Sequence, residues 1–432
     1  MLERLKLRDV GPADEMQLEL APRLNIITGD NGLGKSFLLD VAWWALTGAW
    51  AEKPAMPRRH RGATPTIDVA FGGIGRAHRF HFRRQAWLVS RAGASDIDES
   101  ITNGLEILGE PESGLVLYAR VDGGVCVFDS ARNQRGDQRE SGAPLEPPYL
   151  FSREAIWDGL PLDSPKKRCN GLIADWANWQ RERGEAFSQF VRVLEGLAPS
   201  AEEPLVPGAL TRVSLDDVRD IPTLALPYGE VPITHASAGM RRILALAYLL
   251  VWAWREHLRA CELSQREPSS TLVLLIDELG AHLHPRWQRV ILRSLLAVVD
   301  ELTGDHRLSV QIVGATHSPM VLASLDPIFD PVRDRLWSLD LVDTRVILTL
   351  EPWRRRGDAN AWLTSPSLDL AQPRSVEAEQ AIARADALGK ADSVSKQELA
   401  EAEAQLRAAL GDTDPYWMGW RFFRERQRQR TP

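Results

Sequence analysis

Read for the alternation of apolar and polar positions, the chain opens with three strand-like runs and then a helix. Residues 2–7 form the first run. Met16, Leu18 and Leu20 alternate with polar neighbours in the second, and residues 24–28 are apolar enough for a strand covered on both faces. The third run enters a glycine-rich turn, and helical character begins at Lys35. Further β-like runs at 66–71, 80–89, 114–121 and 125–128, separated by Gly, Asp and Ser, predict an antiparallel sheet layer within residues 58–130. The polar stretch 132–148, with Gly and Pro, predicts an exposed loop.

The period then changes from two to about 3.6. Leu172, Trp176, Trp179, Phe187, Phe190, Val191 and Leu194 recur near helical spacing, which predicts a helix or helix pair whose tryptophans face the core. Helix 238–259, buried strand 272–276, helix 285–299, strand 310–313 and helix 319–324 follow, an alternation that builds a parallel sheet with helices on its faces. Beyond Pro352 the chain turns to Ala/Glu/Arg-rich helix over 375–410 and ends in an aromatic and basic tail. The expected fold is therefore α/β, a mixed sheet with an antiparallel layer around a phosphate-loop core. It divides into an N-terminal lobe 1–150, a helical insertion with a connecting β segment 151–230, a C-terminal lobe 231–350 and a helical region 351–432. Neither an internal repeat nor a long heptad array is present.

Composition adds mainly exclusions. At 432 residues and 44% hydrophobic content the chain can bury a large core, and its net charge of −7 provides no overall positive field toward nucleic acid. Any such contact needs a local patch. Cys126, Cys169 and Cys261 are far apart and no His cluster has metal-ligand spacing, which suits a reducing compartment and argues against disulfides or zinc. The charged N-terminus lacks an apolar leader core, and the longest apolar run, 243–254, is too short for a bilayer; a cytoplasmic protein without membrane contact is expected.

Chemistry enters with Gly29-Asp30-Asn31-Gly32-Leu33-Gly34-Lys35-Ser36, a full GxxxxGK[ST] match between a strand and a helix. Its glycines, with Asn31 between them, let backbone N–H groups turn toward phosphates, and the helix start adds positive potential. Lys35 is placed to reach the β- and γ-phosphates of ATP and Ser36 to ligate Mg²⁺. A second signal is the run 272–276 ending in Asp277-Glu278, where the aspartate can serve the Mg²⁺ shell and the glutamate can act as general base toward water. A third apolar strand ends in Thr316-His317-Ser318-Pro319, with His317 a candidate for the γ-phosphate. Between them, Ser237-Ala238-Gly239-Met240 starts a helix, with Ser237 as N-cap and Gly239 allowing close backbone approach. Taken singly, the last two elements read as ordinary structure.

Their order carries more. A glycine-rich phosphate loop, a Ser-Ala-Gly helix start, a strand with Asp-Glu, His282-Leu283-His284-Pro285 and a strand ending in Thr-His-Ser-Pro together resemble the ABC-type ATPase head of the SMC, RecF and OLD proteins, over roughly residues 1–50 and 230–345. The resemblance implies that Ser237 and Gly239 belong to the signature motif, here SAGM in place of SGGQ, that Asp277 and Glu278 form Walker B, and that His317 is the switch histidine. It also makes Arg61 similar to an arginine that reaches the nucleotide in SMC heads. The Q-loop glutamine has two candidate places, Gln85 and the stretch 151–158, which offers Glu154. ABC heads pair head to tail, so the resemblance implies an ATP-dependent homodimer or higher even-numbered oligomer, with each signature serine completing its neighbour's site.

Two roles follow from this resemblance. The compact head without long coiled coil, and the tail from Trp362 to Trp417, look like the ATPase subunits of Septu-like, PARIS-like and retron-associated anti-phage systems, which implies a separately encoded effector such as an HNH or other nuclease, or a retron component. The alternative is a RecF-like DNA repair ATPase that binds nucleic acid directly. Residues 421–430, with five arginines interleaved with Phe422 and Phe423, supply its candidate contact. A nuclease within the same chain would need a TOPRIM domain, and the residues after 350 read as helix instead.

Overall fold

In the computed structural model, which describes residues 1–58, 64–82, 86–90, 114–133, 147–162, 164–303, 308–391 and 394–430, the chain forms two compact units, Met1–Ala359 and Asn360–Pro432. No helix among the described residues is long and apolar enough to cross a membrane.

The first unit is organised by β3 (Leu24–Gly29), whose six residues are all buried. Such a strand belongs at the centre of a sheet covered on both faces. It lies between β16 (Ser309–Ala315) and β17 (Asp334–Val342), both parallel to it. The sheet continues through β15 (Thr271–Ile276) and β7 (Leu115–Ala119), again parallel, and is finished at its two edges by antiparallel partners. One edge carries β18 (Arg345–Glu351); the other carries β8 (Val125–Asp129) and β9 (Tyr149–Phe151). The runs at 114–121 and 125–128 therefore do not join the antiparallel layer expected for them. Leu115, Val116, Leu117 and Tyr118 are all buried, the pattern of a two-sided strand, and they extend the parallel core.

A separate five-stranded antiparallel layer has the order β2 (Ala13–Glu19), β1 (Leu2–Val10), β4 (Thr66–Phe71), β5 (Ile74–His81) and β6 (Ala86–Ser90). The expected single run at 80–89 is in fact the junction of two strands, β5 and β6, that pair as a hairpin. Gln311 of β16 joins the two sheets: its side chain accepts from the Leu2 N–H at 3.0 Å and donates to the Leu2 carbonyl at 2.8 Å. Between the sheets lies α1 (Lys35–Thr47), with Trp43 fully buried and Trp44 at 4% exposure, in one apolar cluster with Leu5, Leu7, Val116 and Val273. Covered on both sides, this helix has no polar face to show. Truncating a buried tryptophan such as Trp43 costs about 3–5 kcal/mol, so the glycine-rich turn is anchored on its helix side by the packed core.

After α2 (Ser130–Asn133) and α3 (Arg153–Asp158), the strands β10 (Leu160–Leu162) and β11 (Ser164–Cys169) form a small hairpin. The expected helix pair is α4 (Leu172–Glu182) and α5 (Glu185–Gly196), with the Trp176 and Phe190 rings edge to face at 4.8 Å. A three-stranded sheet, β12 (Val206–Thr211), β13 (Ile221–Leu226) and β14 (Gly229–Pro232), leads into the long α6 (Ala238–Ser264). The expected helix 285–299 is broken into α7 (Pro285–Gln288) and α8 (Ile291–Thr303), and α9 (Pro319–Leu325) follows β16.

After α10 (Ala359–Leu363), the second unit is a helical hairpin with a third helix. The run expected at 375–410 divides into α11 (Val376–Lys390) and α12 (Lys396–Ala409), the latter started by a capping box between Ser395 and Glu398. In α13 (Tyr416–Arg430), Trp420 is buried in the hairpin's core with Ile382 and Leu406, and Phe423 packs against it.

Candidate active site

Three of the parallel strands end side by side, and their C-terminal ends carry the reactive groups. At the end of β3 the backbone turns through Gly29, Gly32 and Gly34 with φ of 122°, 80° and 108°, conformations that L side chains rarely adopt. Gly29 has a second constraint: a Cβ there would meet the Leu339 carbonyl oxygen at 2.1 Å. Asn31 and Ser36 are exposed at the loop and the helix start. Lys35 folds back so that its Nζ donates to the Gly29 carbonyl at 2.8 Å and the Asp30 carbonyl at 2.9 Å. Burial pushes its ammonium pKa down, opposed by the charges of Glu278, Asp277 and Asp30. The cation is thus held on its own loop, at the place where a phosphate would take over those bonds.

Two strands away, β15 delivers Asp277 and Glu278. Asp277 is 1% exposed and its N–H donates to the Ala119 carbonyl at 2.8 Å, yet its Oδ1 is buried with no hydrogen-bond partner. An orphaned carboxylate oxygen in a dry site is costly unless a cation completes it. With the exposed hydroxyl-bearing Ser36 across the loop, this donor set fits Mg²⁺, whose all-oxygen shell draws on one or two protein groups, substrate phosphates and water. Among the described residues no group of three or more His, Cys, Asp and Glu could hold a metal.

Glu278 follows at a φ of 52°, a left-handed conformation that turns its side chain away from the strand direction. Burial raises its carboxyl above the usual range, against the pull of His317 and Lys35. His317, at the end of β16, sets its Nε2 2.8 Å from Glu278 Oε2. The base expected to work on water is therefore engaged by the histidine expected to work on phosphate.

The helix start at 237–240 comes to the same end of the sheet. Ser237 is exposed and caps α6 by accepting from the Met240 N–H at 3.3 Å. Gly239 is buried against the loop after Glu278: a Cβ at this position would lie 2.6 Å from the His282 carbonyl. A residue the sequence reading passed over completes the link. Arg242, on the first turn of α6, donates to the Asp277 carbonyl at 2.8 Å and the Glu278 carbonyl at 3.2 Å, and burial pushes its guanidinium below the ordinary value. Both of its partners are main-chain carbonyls, which leave no mark in the sequence.

Two further expectations fall differently. Arg61 and Gln85 lie outside the described residues. Glu154 is exposed in the first turn of α3, whereas its neighbours Arg153 and Trp157 line a cavity of about 130 Å³ together with Arg242 and Ile276. At the end of β7, Tyr118 donates to Asp40 of α1 at 3.0 Å, and burial pushes the Asp40 carboxyl up.

Comparison with known proteins finds AAA-type domain sequence in the chain. A model described as an AAA domain, putative AbiEii toxin, Type IV TA system matches residues 134–323, and a second AAA-domain model matches 4–104. Over 94 residues the chain is 37% identical to the DNA replication and repair protein RecF of Magnetococcus marinus, which is 20% of this chain and 23% of that relative. Among solved structures, the SMC head domain from Thermotoga maritima is 14% identical with a TM-score of 0.41, covering 82% of this chain and 99% of that one. The recombination mediator RecF-ATPrS of the RecFOR pathway is 13% identical with a TM-score of 0.35, covering 81% and 98%. AAA-type domain sequence thus lies on both sides of the site, one model spanning the phosphate loop and the other spanning Ser237, Asp277, Glu278 and His317.

Proposed function

We propose that the protein binds and hydrolyses ATP as an ABC-type switch ATPase, closing two copies around the nucleotide, and that it controls a separate effector such as a nuclease in bacterial anti-phage defence. The observation that carries the ATPase reading is the convergence of Lys35, Asp277, Glu278 and His317 at the ends of three neighbouring parallel strands, with one buried carboxylate oxygen left for a cation. Mg²⁺ bound between Ser36 and Asp277 would neutralise phosphate charge. Lys35 leaves the Gly29 and Asp30 carbonyls for the phosphates. His317 exchanges Glu278 for the γ-phosphate and so frees the base to take a proton from the attacking water.

Ser237 and the N-terminus of α6 have no phosphate partner in their own subunit's loop on this reading; they serve the neighbour's. Arg242 then ties that helix start to the backbone of Asp277 and Glu278, so docking at one site is felt at the base of the other. The family matched at 134–323, AAA domains described as putative AbiEii toxin of a Type IV TA system, supports a role exercised on another component.

The RecF-like reading draws on the 37% identical segment shared with the replication and repair protein. Its proposed contact at 421–430 is weakened by Trp420 and Phe423, which pack within their own helical unit, and by Arg424, which pairs with Glu403; Arg421 and Arg426 remain exposed. The two readings part on one experiment. Purified from its native locus, the protein brings down an effector and shows ATP turnover that DNA leaves unchanged. Recovery alone, with turnover stimulated severalfold by DNA, refutes the effector role.

A further inference from the structure

Away from the nucleotide site, β11 and the middle of α6 enclose a polar cavity of about 250 Å³. Four of its side chains are basic: Lys167, Arg168, Arg255 and Arg259. Arg255 and Arg259 stand one turn apart on α6, a spacing at which like charges repel. Arg255 is half-buried and makes no hydrogen bond or ion pair among the described residues. Burial and then Arg259 push its guanidinium below the ordinary value, with Glu185 and Glu182 opposing only through space.

The cavity's two acids answer this charge only in part. Glu256 pairs with Arg132 and lies 3.7 Å from Arg259, while Asp175 accepts from Asn170 at 2.9 Å and Tyr248 at 2.8 Å and feels Arg259 and Lys167 only through space, so neither acid pairs with Arg255. Burial also raises the Asp175 carboxyl, which weakens it as a counter-charge. Arg168 lies over the Tyr149 ring at 5.9 Å, a contact that leaves its N–H edges available. A fold holds an unpaired, half-buried guanidinium such as Arg255 beside further cations at a cost, and an anion removes that cost.

We infer that this cavity is a second anion site, taking a small phosphorylated molecule held by Arg255 and Arg259 from α6 and by Lys167 and Arg168 from β11. Planar guanidinium forks suit phosphate oxygens, and four cations suit a group of more than one negative charge. The volume lies just below the roughly 300–1,000 Å³ of pockets that take drug-sized ligands, which favours pyrophosphate or a nucleoside monophosphate over anything larger. The site stands on different residues from the phosphate loop and does not depend on the function proposed above.

Isothermal titration calorimetry of inorganic pyrophosphate and of AMP into the full chain carrying Lys35→Ala, which silences the phosphate loop, tests it. One site is expected for at least one probe. Its Kd should rise at least tenfold when Arg255→Ala is added, further with Arg255→Glu, and return to within threefold with Arg255→Lys. Should Arg255→Glu melt early, Arg259→Glu at the exposed end of the pair is read in its place. The inference is overturned if neither probe binds at millimolar concentration, or if binding is indifferent to both charge reversals. It is equally overturned if a short single-stranded oligonucleotide binds through these arginines while both small probes do not, since the surface would then serve a strand.

Discussion

Replacing Arg242 by alanine removes a contact that is local in space and wide in consequence. Its guanidinium is half-buried and donates to two carbonyls, one at 2.8 Å and one at a longer 3.2 Å. A hydrogen bond from a charged donor contributes about 1.5–3 kcal/mol, and orphaning its buried acceptors adds to the loss. Against this, burial disfavours the Arg242 charge, which the substitution relieves. The net loss is about 2 kcal/mol, which for a unit of this size is a fall in melting midpoint of roughly 3 °C. Activity should suffer more. Glu278 sits in a left-handed backbone conformation that Arg242 helps hold, and a displacement of about 1 Å at a catalytic group costs on the order of a hundredfold. The expected Arg242→Ala protein binds ATP with a Kd within threefold of the parent and turns it over ten- to a hundredfold more slowly, with Arg242→Lys recovering part of the rate. Steady-state phosphate release and nucleotide binding are the assays. A variant with unchanged melting and a turnover number within twofold would refute the claim that this residue positions the base.

The other predictions are independent of that one. Lys35→Ala should abolish ATP binding, measured by fluorescent-nucleotide titration. Because burial places the Glu278 pKa above its unfolded value, the native carboxylate is disfavoured, so the stability it contributes is full below about pH 4.5 and is lost as pH rises through the raised native pKa. Glu278→Gln should therefore gain in melting midpoint relative to the parent between mildly acidic pH and pH 8; an equal difference at all pH values would contradict this. In the second unit, Ser395→Ala removes half of a capping box and should destabilise the α11–α12 hairpin by about 1 kcal/mol, visible as faster amide exchange in α12.

Much of the site was legible because its chemistry is local in sequence. A phosphate loop, a buried strand ending in two acids and a strand ending in histidine each declare themselves within eight residues, and their convergence follows once the strands are parallel neighbours. Sheet membership was not legible in the same way. Residues 115–119 form an unbroken apolar run where the first strands of the antiparallel layer alternate, and the burial of Leu115 to Tyr118 on both faces places that run in the parallel core, whereas 125–128 only pair antiparallel with it. Arg242 escaped for another reason. Its partners are backbone carbonyls 35 and 36 residues away, and a carbonyl has no sequence signature. The helix break at 289–290 was silent, since no proline or glycine announces it, whereas the start of α12 was readable in the capping-box spacing of Ser395 and Glu398.

The account stands on ATP bridging two molecules, a triphosphate on Lys35 of one meeting Ser237 of the other. Light scattering on the eluting Glu278→Gln protein, with saturating ATP and Mg²⁺, measures this directly. The account predicts a doubled mass that collapses to one chain when nucleotide is omitted or when Ser237→Arg is added. A mass of one chain with and without ATP, in a protein shown to bind it, would contradict the account.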